Sequence, residues 1–142
     1  MVTEIQVPTP GESEGNSFHK LTYRSAIDYC LVSATARVAV KEGRISEARL
    51  AIGGAGASPL LLKEAAGGLV GKEVHDKHAL EETAIQVKNQ ASAFMVNNLG
   101  STVEYRKKMS AVMAKRAMEE ALARCLGNSV VEGRKRSEDR RS

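Results

Sequence analysis

Between Val32 and Lys41 the chain alternates with a period of two, and no other stretch constrains the fold as strongly. Val32, Ala34, Ala36, Val38 and Val40 fall on one side of an extended strand, and Ser33, Thr35 and Arg37 fall on the other. Lys41-Glu42-Gly43-Arg44 reads as a turn, with Gly43 free to take positive φ. Ala48, Leu50 and Ile52 then alternate with Glu47 and Arg49. The pattern predicts an antiparallel hairpin with one buried face. The small side chains on its first strand require that the covering layer come close.

The segments around the hairpin complete the expectation. Thr3-Glu4-Ile5-Gln6-Val7 alternates and then meets Pro8 and Pro10, which reads as a short strand stopped by proline. Residues 11–16 (GESEGN) read as a polar loop, and Phe18–Tyr23 as a further extended segment. Three helical segments follow. Ser58-Pro59 has the form of a helix start, Ser at the N-cap and Pro at the first position, and Gly67-Gly68 ends that segment. A second helix carries Leu80, Ala84, Val87, Ala91 and Phe94 at steps of three and four. A third opens at Ser101-Thr102-Val103-Glu104, with capping-box spacing. It is expected to turn Tyr105, Met109, Val112, Met113, Leu122 and Leu126 inward, leave Arg106-Lys107-Lys108 in water, and end at Gly127-Asn128. Strands first and helices after predict an α+β fold. We expect a small antiparallel sheet of three to four strands, followed by a three-helix layer on one face.

At 142 residues there is room for one domain and one core. We assign residues 1–131 to it, with 132–142 a disordered basic tail that has no apolar residue. That tail holds five basic and three acidic groups, half of the net charge of +4, so the body is nearly balanced. Aromatics are 4% and Trp is absent. Neither a basic folded surface nor a base-stacking surface is indicated, which argues against nucleic acid as a partner. No apolar run approaches the ~20 residues of a membrane span, and residues 1–20 lack the form of a signal peptide. Cys30 and Cys125 each sit in an apolar run outside any CxxC pattern, as expected of buried, reduced thiols in a cytoplasmic protein.

Four constellations bear on chemistry. Gly53-Gly54-Ala55-Gly56-Ala57-Ser58-Pro59 stands where a dinucleotide fingerprint would stand, but Pro59 takes the third glycine position and no second strand with its acidic residue follows. A tight crossing that needs small residues is the preferred reading. His75 and His78 are spaced i, i+3, but two imidazoles without a third ligand read as solvated residues at a helix start. Phe18 and Lys20 lie one strand-step apart on one face, where an aromatic and a cation can meet a cofactor ring and its phosphate; a solvated Lys beside a core Phe is the default. Tyr105-Arg106-Lys107-Lys108 reads as one core residue followed by a solvated face.

The ordered pieces TEIQVP (Thr3–Pro8), FHKLTYRSAID (Phe18–Asp28), LVSATARVAV (Leu31–Val40), ISEARLAIGGAGASP (Ile45–Pro59), EAAGGLVGK (Glu64–Lys72) and STVEYRKKMSAVMAKRAMEEAL (Ser101–Leu122) resemble the C-terminal domain of the FAD-binding medium subunit of molybdenum hydroxylases. That family includes xanthine dehydrogenase, carbon monoxide dehydrogenase and 4-hydroxybenzoyl-CoA reductase. The resemblance covers roughly Val2 to Leu126. It implies a flavoprotein part of an oxidoreductase, in which electrons pass from a molybdopterin subunit through 2Fe–2S clusters to FAD and on to an acceptor. It also implies that most FAD contacts come from domains N-terminal to this one. The chain's partners would be that FAD-binding domain, an iron–sulfur subunit and a molybdopterin subunit.

By the same resemblance Lys20 touches FAD and Phe18 lies near its ring system. Thr3 lines the site from the strand before the proline, or Val2 does in a shifted register. No catalytic residue and no metal ligand is expected on this chain. The family often carries Thr-Pro-x-Arg after the Gly-Gly turn, where this sequence has Ser58-Pro59-Leu60-Leu61, so a contact made by that Arg is not carried over. Met1 stands just before the first strand, which suggests a domain boundary. One charge-assisted hydrogen bond contributes about 1.5–3 kcal/mol and one aromatic contact about 0.5–1.5 kcal/mol, against roughly 4–15 kcal/mol to immobilise a ligand. The chain alone is therefore expected to hold no FAD. The alternative is a stand-alone interaction module with the same fold and no flavin role; the neighbouring reading frame discriminates the two.

Overall fold

In the computed structural model, residues 1–9, 11, 13–24, 28–95 and 101–127 are described. The hairpin forms as the alternation predicts. Strand β2 (Val32–Lys41) pairs antiparallel with β3 (Arg44–Gly53). Glu42 and Gly43 join them, both at positive φ (53° and 74°), as a two-residue turn that follows the strand twist requires. A bulge lies between Ala39 and Val40. Strand β1 (Glu14–Leu21) adds to the free side of β2, and the two-residue β4 (Leu60–Leu61) adds to β3. The sheet order is β1-β2-β3-β4, antiparallel throughout.

One face of this sheet is covered. Helix α3 (Val103–Cys125) lies over β1 and β2, the short α1 (Lys63–Gly67) lies against β3, and α2 (Lys77–Ser92) packs on both helices. Val32, Ala34, Ala36 and Val38 point into this layer and are buried with Leu50 and Ile52. The approach of α3 is close because both surfaces are made of small residues: Ala34 and Ala36 below, Ala114, Ala117 and Ala121 above. A Cβ on Gly15 would sit 1.9 Å from the Ala121 carbonyl oxygen, so only glycine fits at this crossing. Two residues on, buried Ser17 donates its hydroxyl to the Ala117 carbonyl at 2.5 Å.

The structure corrects several expectations. Residues 3–7 form no strand and are exposed, because no sheet edge of this domain pairs with them. The loop expected over 11–16 is shorter, since pairing of Glu14 and Gly15 with Ala39 and Val38 draws them into β1. Ser58-Pro59 does not open a helix. The chain stays extended so that Leu60 and Leu61 pair with Ile52 and Ala51, and α1 begins at Lys63.

Helices α2 and α3 start on side-chain caps: Asp76 accepts from the Ala79 N–H, and Thr102 accepts from the Tyr105 N–H, one residue later than the Ser101 of the capping-box reading. Phe94 falls beyond α2 and is exposed. The inward face of α3 is rotated from the expected one. Tyr105, Val112 and Leu126 are on the outside, while Arg106, Ser110, Met113, Ala114, Ala117, Met118, Ala121 and Leu122 are buried. That stripe keeps helical spacing, but it opens on an Arg and a Ser, which a reading by hydrophobicity passes over. Gly127 at φ 72° ends α3 as expected, while Asn128 and the tail lie outside the described residues. Both cysteines are free and half-buried rather than buried.

Candidate functional site

The helices cover one face of the sheet and leave the other open. The register sorts the open face into cross-strand rows. Glu14, Ala39 and Glu47 form the first, and Asn16, Arg37 and Arg49 the second. Phe18, Thr35, Ala51 and Leu61 form the third, and Lys20, Ser33 and Gly53 the fourth. The first two rows are electrostatically closed. Arg37 bridges Glu14 at 2.7 Å and Glu47 at 3.3 Å, and Glu47 also meets Arg49 at 3.0 Å. A backbone hydrogen bond at Gly11, then the Arg37 guanidinium, hold the Glu14 carboxyl below the ordinary carboxylate range.

The last two rows have a different character. Phe18 is 60% exposed, so it is not the core residue expected by default. Lys20 is exposed on the same face and, among the described residues, no carboxylate pairs with it. Beside them the floor bears hydroxyls: Ser33, Thr35, Ala51 and Gly53, over which the Ser33 hydroxyl lies so closely that a Cβ there would meet it at 2.5 Å. An aromatic and an unpaired cation over such a floor can receive a flat ring and an anionic or carbonyl oxygen. The arrangement is a wall, not a pocket. Grooves of about 260 Å³ and 410 Å³ lie elsewhere, between α2 and α3 and beside β4, and neither is lined by Phe18 or Lys20.

The covered face of β1 fixes which way Lys20 points. His19 Nε2 lies 2.7 Å from Glu120 on α3. Glu120 also pairs with Arg124, whose guanidinium reaches back to the Asn16 carbonyl. With Ser17 bonded to Ala117, these contacts hold alternate residues of β1 against α3, so Phe18 and Lys20 must face out.

Phe18 and Lys20 are thus brought together. Thr3 is not brought to them: it lies in the exposed segment 1–9, with no hydrogen bond to either. The glycine-rich stretch serves the chain crossing. A Cβ on Gly54 would sit 3.0 Å from the Leu31 carbonyl oxygen and one on Gly56 2.8 Å from that of Phe94, and a strand follows rather than a helix. His75 is exposed and His78 stands 3.7 Å from Glu82. Among the described residues no three His, Cys, Asp or Glu side chains are grouped to hold a metal. No helix there is long and apolar enough to cross a membrane.

Sequence reasoning missed Arg106. It was expected in water, yet it is 1% exposed and donates from Nε to the Leu31 carbonyl at 3.2 Å. Leu31 in turn bonds Leu21, next to Lys20. The signal that could have found it is the step of four that runs from Arg106 to Ser110 and on to Ala114.

Comparison with known proteins converges on one family. The model of the CO dehydrogenase flavoprotein C-terminal domain matches residues 17–121. The carbon monoxide dehydrogenase medium chain of Afipia carboxidovorans is 32% identical over 124 residues, which are 87% of this chain and 42% of that protein. Among solved structures, a chain of reconstituted CO dehydrogenase from Oligotropha carboxidovorans aligns with TM-score 0.74 at 29% identity, over 83% of this chain and 40% of the other. A chain of the carbon monoxide dehydrogenase of Hydrogenophaga pseudoflava aligns with TM-score 0.74 at 25% identity, over 84% and 40%. The chain therefore spans less than half the length of these relatives.

Proposed function

The chain belongs to the CO dehydrogenase flavoprotein C-terminal domain family, and from that premise we propose that it closes one wall of the FAD site in a molybdenum-dependent oxidoreductase. The observation that carries this reading is the open half-face on which Phe18 and Lys20 stand exposed, with no carboxylate among the described residues paired to Lys20. Those residues fit a flavin. The Phe18 ring offers a flat apolar contact, the Lys20 ammonium donates to an oxygen of the cofactor, and the Ser33 and Thr35 hydroxyls stand in the neighbouring strand. FAD, when bound, supplies the electron transfer between the metal centres and a final acceptor. The chain's own part is to bind, orient and exclude water on one side. A wall cannot enclose a ligand, so the other contacts come from a flavin-carrying neighbour, with iron–sulfur and molybdopterin subunits as further partners. The two free thiols accord with work in the cytoplasm.

The reading is tested by titrating FAD into the purified chain and into its complex with the flavin-carrying neighbour, following flavin fluorescence. The chain alone should not bind. In the complex, Lys20→Ala should weaken FAD retention roughly 10- to 100-fold, the loss of one charge-assisted hydrogen bond, while Lys41→Ala in the β2–β3 turn should leave it unchanged. Stoichiometric binding by the chain alone, or retention that ignores Lys20, would refute it.

A further inference from the structure

Phe18 and Lys20 stand on β1, the end strand of the sheet, so β2 supports their backbone from one side only and α3 supplies the rest. The support comes through the covered face of the strand. Gly15 lets α3 approach, Ser17 donates to the Ala117 carbonyl, and His19 meets Glu120. His19 is the last of these contacts, and it is the chain neighbour of both Phe18 and Lys20. Beyond it β1 has only Lys20 and Leu21.

Glu120 carries that last contact and a second one. Its Oε2 lies 2.7 Å from His19 Nε2, and its Oε1 accepts from Arg124, whose guanidinium also donates to the Asn16 carbonyl. One carboxylate on α3 therefore holds β1 at residues 16 and 19. The Glu120 and His19 side chains are 19% and 31% exposed, so water screens the pair only in part. The contact is close without being an aligned hydrogen bond, since His19 Nε2 is buried and finds no hydrogen-bond partner among the described residues. What draws the two together is charge, which the imidazole supplies only when protonated. The other charged groups on this side of α3 are Arg124 and, one turn before Glu120, the exposed Arg116. On β2 the residues opposite, Ser33, Ala34 and Thr35, carry no charge.

We propose that Glu120 is a positioning residue of the flavin site. Acting through His19, it fixes the stretch of β1 that aims Lys20 at the cofactor, and its grip tightens when His19 is protonated. Glu120 stands on the covered side of the sheet and reaches no cofactor itself. A hydrogen bond to an ammonium keeps its strength only within a narrow range of distance and angle. A small displacement of residue 20 is therefore felt at the cofactor while the β1–β2 ladder survives. This rests on the reading that Lys20 meets FAD, and it deepens that reading by naming what sets the Lys20 geometry.

A double-mutant cycle on FAD affinity tests the inference, read by flavin fluorescence in the complex with the flavin-carrying neighbour. Glu120→Gln keeps the shape of the side chain and removes its charge, and it should weaken FAD retention about 3- to 10-fold. His19→Asn should do the same, and it carries the cycle if Glu120→Gln does not fold. In a Lys20→Ala background neither should weaken retention further, because the contact they position is gone; a merely structural role gives effects that add. The loss caused by Glu120→Gln should also shrink as pH rises between about 5 and 8, where an imidazole gives up its proton and the wild type loses the same attraction. Glu82→Gln, which removes the partner of the exposed His78, should change nothing. Full retention in both Glu120→Gln and His19→Asn, effects that add to that of Lys20→Ala, or a loss that is constant with pH overturns the positioning role and leaves the functional reading standing. If Lys20→Ala itself has no effect, the functional reading falls and this inference falls with it.

Discussion

Gly15→Ala tests the packing on which the site depends. The added Cβ would sit 1.9 Å from the Ala121 carbonyl oxygen, 2.9 Å from its carbon and 3.0 Å from the Cys125 nitrogen. All three are backbone atoms of α3, so no side chain can swing aside. Relief requires α3 and β1 to separate by about 1 Å, and overpacking of this kind costs about 1–3 kcal/mol, occasionally more. The upper end applies, because separation also stretches the Ser17–Ala117 hydrogen bond and the His19–Glu120 contact. At roughly 3–5 °C per kcal/mol for a domain of this size, Tm should fall by about 10–15 °C. Gly67→Ala is the control. Its Cβ meets nothing within 4 Å, and at the last position of α1 it should be neutral or stabilise by up to about 1 kcal/mol. Both variants are read by calorimetry or by circular dichroism on heating. A Gly15→Ala protein that melts with the wild type would refute the close crossing, and with it the account of why Phe18 and Lys20 face outward.

Arg106→Met should cost about 2–3 kcal/mol in a urea titration, because it removes a charged donor and leaves the buried Leu31 carbonyl without it. Glu14 gives a pH dependence of definite sign. Its folded pKa lies below the ordinary 4.5, so the unfolded chain binds the proton more tightly. The stability it contributes is present above 4.5 and is lost as pH falls through the folded value. The stability difference between the wild type and Glu14→Gln should therefore shrink on acidification, checked by melting both proteins between about pH 3 and 7.

Much of the architecture was legible because its causes are local. The β2–β3 hairpin follows from two-residue alternation around Glu42-Gly43, and α2 and α3 follow from three-and-four spacing, while their caps, Asp76 and Thr102, were fixed only by the structure. The ordered pieces from Thr3 to Leu122 pointed to the family that the comparisons then identified. Phe18 and Lys20 were legible as a pair on one face, since side chains two apart on a strand must agree in direction. The sign of that direction was not: Phe18 was expected inside by default and stands outside.

What the sequence by itself determined is the set of elements and the relative placement of side chains within each, because both depend on backbone periods that a chain carries with it. What only the tertiary structure decided is which face each element buries and which edges find a partner. Arg106 rather than Tyr105 is inside because α3 turns its small, polar stripe to the sheet. Leu60 and Leu61 are extended because β3 offers them a ladder. Residues 3–7 remain unpaired because no edge here receives them. Hydrophobic period is a property of a segment, whereas burial and pairing belong to two surfaces at once. The second surface appears only when the chain is folded.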